Sequence, residues 1–343
     1  MATLNIFDSD AFSLQSMLDA IESIDFQPRR LSSMNIFTPN PVRTATVSIE
    51  QRAGVLSLIQ TSERGEPLEQ RVTEKRDIRD FRTVRIAKGD TIMASELAGI
   101  RAFGTESELM QVQAEVARRL TGPVGIEAQI ALTKENMRLG AIQGIVKDAD
   151  ASTIRNWYTE FGVTQATEID FDLDNATPAS GAVRKKSTQV VRAMMKAAKG
   201  VWTPGTQIHA FCGDNFWDDL TAHVEVRETY LNTQAAASLR DGLAYEMFNY
   251  GGITWENYRG TDDGSTVGIA TDQVKFFPTN APGLFLEVNS PGEQFEQIGQ
   301  LGKSLYPMIV RDIARDMWVI VEGYAYVLHV CTRPLMLQRG RRT

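Results

Sequence analysis

The stretch from Pro41 to Lys88 constrains this chain more than any other. Its first limb, Arg43-Thr-Ala-Thr-Val-Ser-Ile-Glu-Gln-Arg-Ala-Gly-Val-Leu-Ser-Leu-Ile59, alternates apolar and polar residues through Ala45, Val47 and Ile49, the period of a β-strand. A tip bearing glycine and proline follows, Ser62-Glu-Arg-Gly-Glu-Pro67. The second limb, Leu68 to Ala87, is crowded with both signs of charge: Glu69, Arg71, Glu74, Lys75, Arg76, Asp77, Arg79, Asp80, Arg82 and Arg85. Two limbs of about 17 residues at ~3.3 Å per residue would reach roughly 55 Å. An isolated two-stranded hairpin is marginal in water. The apolar face of such an arm needs cover, and the neighbouring sequence offers no surface of that length. The expected cover is another copy of the chain, with Glu63, Arg64, Glu66, Glu69, Arg71, Glu74, Lys75, Arg76 and Asp77 as the subunit-interface residues. The plain alternative is a solvated charged loop beside an ordinary strand.

At 343 residues the chain exceeds the usual size of a single core, so two domains with extensions are expected. With 36 basic and 43 acidic residues the formal net charge is −7, which argues against a surface that coats nucleic acid. The only basic clusters are Arg184-Lys-Lys186 and Arg339-Gly-Arg-Arg342, too short for a binding face, though either could touch phosphates locally. Cys212 and Cys331 lie in apolar contexts; reduced thiols from a cytoplasm fit better than a disulfide. The N-terminus lacks the features of a signal peptide, and no window is apolar enough to span a membrane.

Taken in order, residues 1–40 read as an extended N-terminal arm with one short helix near Asp10–Ile21. Residues 41–88 are the extended loop, a β-hairpin that ends at Lys88-Gly-Asp90. In the segment 89–184, Thr105 and Glu108 make a capping-box pair ahead of Leu109, Val112, Val116 and Leu120. Gly122-Pro123 then interrupts the helix. A second, longer helix is expected over about 125–147, with Ile126, Ile130, Met137, Ala141 and Ile145 on one face and Glu127, Lys134, Glu135 and Arg138 on the other. Residues 151–180 read as strands and turns, including Trp157-Tyr158. Residues 185–280 alternate strand and helix, the mark of a compact α/β domain, with Leu239–Tyr250 expected to be helical. Residues 281–343 are mostly strand, including Met317–Val321 and Tyr324–Val330.

Catalytic and ligand signatures are scarce. Neither a phosphate-binding G-x-x-x-x-G-K-[ST] loop nor a dinucleotide-binding G-x-G-x-x-G turn is present. His209, His223 and His329 are isolated and read as structural. Asp170-Phe-Asp-Leu-Asp-Asn175 imitates the start of a calcium loop but lacks the glycine and glutamate that complete one. Asp262-Asp-Gly-Ser-Thr266 reads as turn chemistry between strands. No catalytic residue, metal site or cofactor is assigned.

Several spaced groups are familiar together. They are Phe216-Trp-x-x-Leu220-Thr-x-His223, Val226-Arg-Glu-Thr-Tyr230, Phe248-x-Tyr250-Gly-Gly-Ile-x-Trp-Glu-x-Tyr258-Arg-Gly260 and Phe277-Pro278-x-x-Ala-Pro282-x-Leu-Phe285. Arg333-Pro-Leu-Met-Leu337 looks like a terminal strand, and Gly65, Pro67, Ile86-Ala87, Ile92, Leu97 and Ile100-Arg-Ala102 agree in order. In this pattern the chain resembles the major capsid protein E family of lambda-like tailed bacteriophages. The resemblance implies an α+β Hong Kong 97-type phage capsid fold: an N-arm, an extended loop, a peripheral domain with its spine helix, and an axial domain. It implies a structural subunit, not an enzyme, that forms the hexamers and pentamers of an icosahedral shell around double-stranded DNA. Such a subunit is assembled in the host cytoplasm and resides in the virion. A Lys–Asn crosslink, used by some relatives, has no alignable residues here. The first 40 residues are too few for a scaffolding domain, so a separate scaffolding protein is expected, with a portal, a decoration or cement protein and non-specific contact with packaged DNA. An encapsulin-like compartment shares the fold. A soluble oligomeric α/β enzyme relying on His209 or Asp214 is the rival from another class.

Overall fold

The computed structural model describes residues 30–53, 75–99, 108–122, 124–175, 177–199, 201–231, 247–261, 267–315 and 317–343. The expected helix near Asp10–Ile21, Thr105, residues 239–246 and Asp262–Thr266 lie outside them. A single turn α1 (Arg30–Ser33) precedes β1 (Thr38–Pro41), β2 (Thr46–Ala53), β3 (Lys75–Arg82) and β4 (Val84–Met93). Then come α2 (Ala94–Gly99), α3 (Glu108–Thr121), α4 (Ile126–Gln143), β5 (Ile145–Lys147), β6 (Thr153–Asn156), α5 (Trp157–Glu160) and β7 (Ile169–Asp170). The chain continues through α6 (Ala182–Ala198), β8 (Gln207–Cys212), α7 (Asp214–Ala222), α8 (Val224–Leu231), β9 (Met247–Tyr250), β10 (Ile253–Asn257) and β11 (Gln273–Thr279). It closes with β12 (Phe285–Asn289), β13 (Tyr306–Arg311), β14 (Trp318–Cys331) and β15 (Gln338–Arg341).

Two sheets carry this α+β fold. One is a mixed six-stranded sheet in the order β7-β15-β11-β8-β10-β9. Its core is aromatic: Trp255 meets Phe171 and Phe276 edge-on at 5.7 and 5.4 Å, with Val183, Val190 and Met194 of α6 buried beside them. The other sheet is built on β14. Along one edge β14 pairs with the whole of β4, from Trp318↔Met93 to Val327↔Val84. Along its other edge it takes β13 and then β12, and β12 in turn carries β1 in parallel. The expected strands Met317–Val321 and Tyr324–Val330 thus fall in one strand, which starts one residue later, at Trp318. Both edges of that backbone are hydrogen-bonded, so the Glu322-Gly323 interruption does not break it.

Gly323 has a different use. A Cβ there would sit 2.5 Å from Ile126 Cγ2 and 3.1 Å from Ile130 Cδ1, so the first turns of α4 press directly onto the strand. Ile126, Ile130, Val116, Leu120, Ile92 and Val321 close this core. Helix α4 ends at Gln143, earlier than its periodicity suggests. Gly144 takes the left-handed conformation (φ 81°) and its N–H reaches Ala141 O, which turns Ile145 into β5.

Other differences have local causes. Trp157-Tyr158 are helical because the Asn156 carboxamide accepts from Tyr158 N (3.1 Å) and Thr159 N (3.4 Å). Met247–Tyr250 is a strand because its alternating side chains pair with β10. Pro334–Met336 makes one 3-10 turn, and the terminal strand is Gln338–Arg341. Cys212 and Cys331 are buried free thiols in separate clusters. Asp170 and Asp172 are used locally, accepting from Asp172 N and the Asn175 amide. Among the described residues no acidic or histidine cluster could hold a metal, and no helix is long and apolar enough to cross a membrane.

Gly323→Ala is expected to destabilise the subunit by about 1–3 kcal/mol through overpacking, lowering the urea midpoint. Ile126→Leu, which removes the offending Cγ2, is expected to restore part of that loss in the double variant. An unchanged midpoint for Gly323→Ala would rule out direct helix-on-strand contact.

Candidate assembly interface

The described part of the arm is its root. β2 and β3 pair antiparallel from Thr46↔Arg82 to Ala53↔Lys75. Val47 and Phe81 face each other on the inner side and are both buried; Ile49 is half-buried, and Ala45 is exposed just before the strand. The cover is not a second copy at this point. Phe81 packs edge-on against Trp157 (5.2 Å between ring centres) and lies 6.1 Å from Phe161, and the Arg79 guanidinium sits 5.8 Å over Phe161. The short helix α5 therefore supplies the apolar surface that the arm needs at its base. On the outer side the Ser48 hydroxyl donates to Asp80 Oδ1 (2.6 Å), while Ile78 is 64% exposed.

The ribbon also stops sooner than the charge pattern suggests. Thr83 N donates to Ala45 O (3.1 Å), and the Thr83 hydroxyl shares a hydrogen bond with that of Ser290 (2.8 Å). From Val84 the chain belongs to the β14 sheet, so Arg85 and Lys88-Gly-Asp90 are body residues. Arg85 lies over the Tyr324 ring at 5.0 Å, and Gly89 pairs with Glu322. Of the expected interface residues, Lys75, Arg76 and Asp77 fall within β3. Glu63, Arg64, Glu66, Glu69, Arg71 and Glu74 lie outside the described residues.

Three ionic networks hold the body around this root. Where β4 re-enters, Arg119 of α3 donates to Glu115 (2.8 Å), Asp90 (2.9 Å), Thr91 O (2.6 Å) and Glu96. Hydrogen bonds from Arg118, and then from Arg119, outweigh burial and draw the Glu115 carboxyl down to about 2.

The second network was hidden by the helical periodicity. Lys134 and Glu135 sit on the supposedly polar face of α4, yet both are buried. The turn α1 reaches Glu135, and the chain at Ser304 reaches Lys134. Glu135 accepts from Leu31 N (2.7 Å) and Ser32 N (3.3 Å), capping α1 from another element. Arg138 bridges Glu135 (3.5 Å) and Glu287 of β12 (2.9 Å), and Lys134 Nζ donates to Ser304 O (2.6 Å). Burial pulls the Lys134 ammonium down to about 8. His329 Nε2 lies 3.4 Å from Glu287; full burial lowers its pKa, so the imidazole is neutral at pH 7. Burial opposes ionisation of Glu287, but its contact with His329 and the charges of Arg138 and Lys134 hold it well below the carboxylate range.

The third network ties the N-arm to the six-stranded sheet. Arg30 Nη2 donates to Glu256 Oε2 (2.7 Å), and the same oxygen lies 2.7 Å from His209 Nε2. Burial alone would raise Glu256; the hydrogen bonds from His209 and Arg30 reverse this and lower it. His209 is thus a structural partner. The pairings of Arg30 with Glu256 and of Glu135 with Leu31 span more than 100 residues, a separation that no local pattern reveals.

The comparisons with known proteins agree. The family model described as phage major capsid protein E matches residues 13–342. The chain is 26% identical over 363 residues to the major capsid protein of Salmonella phage Felix O1 (isolate Felix O1-VT1), covering 96% of each. It shares its fold with the capsid of cyanophage P-SCSP1u (TM-score 0.53, 11% identity, 93% of this chain and 90% of that one). The mature capsid of bacteriophage PhiM1 is similar as well (TM-score 0.52, 10% identity, 94% and 90%).

Phe81→Ala is expected to cost about 3 kcal/mol locally. Hydrogen exchange would show β2 and β3 losing protection while β14 keeps it; uniform loss would mean that the root is not a separate anchor. Glu256 and Glu287 both have folded pKa values below the ordinary 4.5. Their contribution is therefore complete above about pH 4.5 and lost as pH falls toward the folded values. Exchange of amides 30–41, corrected for intrinsic rate, should rise below that pH before exchange in β14 does; simultaneous loss of both would refute separate docking of the arm.

Proposed function

The chain belongs to the phage major capsid protein E family and is a structural, non-enzymatic component of the virion that assembles into the capsid shell; from this premise we propose how the subunit joins its neighbours. The stretch between β2 and β3, with the first residues of β3, lies over an adjacent subunit, and Glu63, Arg64, Glu66, Glu69, Arg71, Glu74, Lys75, Arg76 and Asp77 meet complementary charges there. The observation that carries this reading is the anchored root. Phe81 is held on Trp157 and Phe161, with Val47 buried opposite it, so the ribbon leaves the body in a set direction.

Exposed ion pairs contribute only ~0–1 kcal/mol each. Apolar contacts along the arm and the number of copies supply the affinity, while charge selects register and partner. Subunits joined in this way form the hexamers and pentamers of an icosahedral shell that encloses double-stranded DNA. A separate scaffolding protein, a portal and a decoration protein complete the head. The subunit divides into an N-arm (1–40), a loop that ends at Thr83, not at Lys88, a peripheral part that begins with β4 and runs to 184, an axial part (185–280) and closing strands (281–343).

Deleting Glu63–Asp77 is expected to leave a folded, soluble body that no longer closes shells. Negative-stain microscopy of wild type and deletion, each co-expressed with the adjacent head genes, tests this. Shells of normal shape and number from the deletion would end the proposal.

A further inference from the structure

The basic cluster Arg339-Gly-Arg-Arg342 is not uniform in its use. Arg341 donates to Asp170 (3.0 Å) and Arg342 to Asp219 (2.8 Å), which occupies both in surface ion pairs. Arg339, whose Nε donates to Ala166 O (3.0 Å), also lines a cleft of about 580 Å³ between the end of α4, the β5–β6 hairpin and strands β11 and β15. The antiparallel register places Lys275 of β11 directly opposite Arg339 of β15. Residues paired in this way stand on one face of the sheet within about 5.5 Å at Cβ, and like charges there repel. Lys147, exposed at the end of β5, lines the same cleft from the hairpin side.

Two carboxylates offset part of this charge: Glu168 lies 3.6 Å from Arg339 Nη1 and Asp148 lines the rim, which leaves three cations against two anions. Lys275 Nζ has a neutral acceptor, Gln273 Oε1, at 2.7 Å. Its ammonium is drawn down to about 8, first by burial and further by Arg339 and Lys147, against the opposing pull of Glu168. Tyr158, also on the lining, is raised to about 12 chiefly by burial and remains a neutral hydroxyl. The sheet thus sets two cations side by side in a polar cleft with a third facing them.

We propose that this cleft binds a phosphate group, with Lys275 and Arg339 donating to its oxygens from the sheet and Lys147 approaching from the hairpin. A planar carboxylate is satisfied by one guanidinium. Cations converging from two sides match a tetrahedral oxyanion with three or four acceptor oxygens. The volume admits more than a lone phosphate, so a phosphodiester with its flanking sugars and free phosphate are both compatible with the cleft. The site lies within one subunit and does not depend on how the arm engages its neighbour.

Calorimetric titration of the full chain with sodium phosphate in chloride buffer at pH 7 tests the site directly. Wild type is expected to bind. Lys275→Gln should weaken binding by about tenfold or more, Lys147→Gln, at an exposed position, by several-fold, and Lys275→Arg should retain it. A short single-stranded deoxythymidine oligonucleotide that displaces phosphate from wild type would assign the site to phosphodiesters; phosphate binding that the oligonucleotide leaves unchanged would assign it to the free anion. The proposal falls if wild type takes up no phosphate, or if Lys275→Gln and Lys147→Gln both bind it as tightly as wild type.

Discussion

A fourteen-residue strand hydrogen-bonded along both edges is stiff, and β14 is such a strand. Every backbone donor it shares with β4, β13 and β12 resists bending, and the missing side chain at Gly323 lets α4 lie against it. Other parts of the subunit take their positions from this beam. β4 enters along it from the arm, α3 is held against β4 through Arg119, and β1 reaches the same sheet through β12. A side chain at Gly323 would press the first turns of α4 away from the strand.

Charge has two separate uses in the molecule. In the body it is paired and largely buried: Glu135, Arg138 and Glu287 form one chain of contacts, and Glu256 with His209 and the partly exposed Arg30 another. Removing Arg138 or His209 would leave a buried carboxylate short of its partner, which is far costlier than losing a surface pair. These networks fasten residues 30–32 to the long helix and the six-stranded sheet together. In the stretch between β2 and β3, by contrast, charges of both signs are interspersed with apolar residues such as Val55, Leu58, Leu68 and Val72. Such a segment suits reversible contact, and it is here that the proposed exchange between subunits takes place.

Rigidity and reversibility therefore sit side by side, divided at Phe81. Below it the ribbon is packed on Trp157 and Phe161; beyond it Ile78 is already exposed. A shell built from many subunits benefits from this division. A body that does not deform fixes the angle of each contact, and weak contacts made in number can be corrected during assembly.

The sequence alone determined a good deal: an α+β chain, a two-stranded ribbon ahead of the body, an amphipathic helix ending near a glycine, an aromatic α/β segment and no catalytic grouping. Each of these is written in local periodicity or in the order of packing residues. Where the ribbon ends was not legible, because Arg85, Lys88 and Asp90 prolong the charged pattern of the strand before them and the pairing with β14 marks the change. Neither was the burial of Lys134 and Glu135, whose partners at Ser304, Leu31 and Ser32 are remote in the chain. The pairing of Lys275 with Arg339 belongs to the same class, since only sheet register sets two distant cations opposite each other. Local pattern specifies what a segment can become; the long-range contacts that decide which face is covered exist only once the chain has closed on itself.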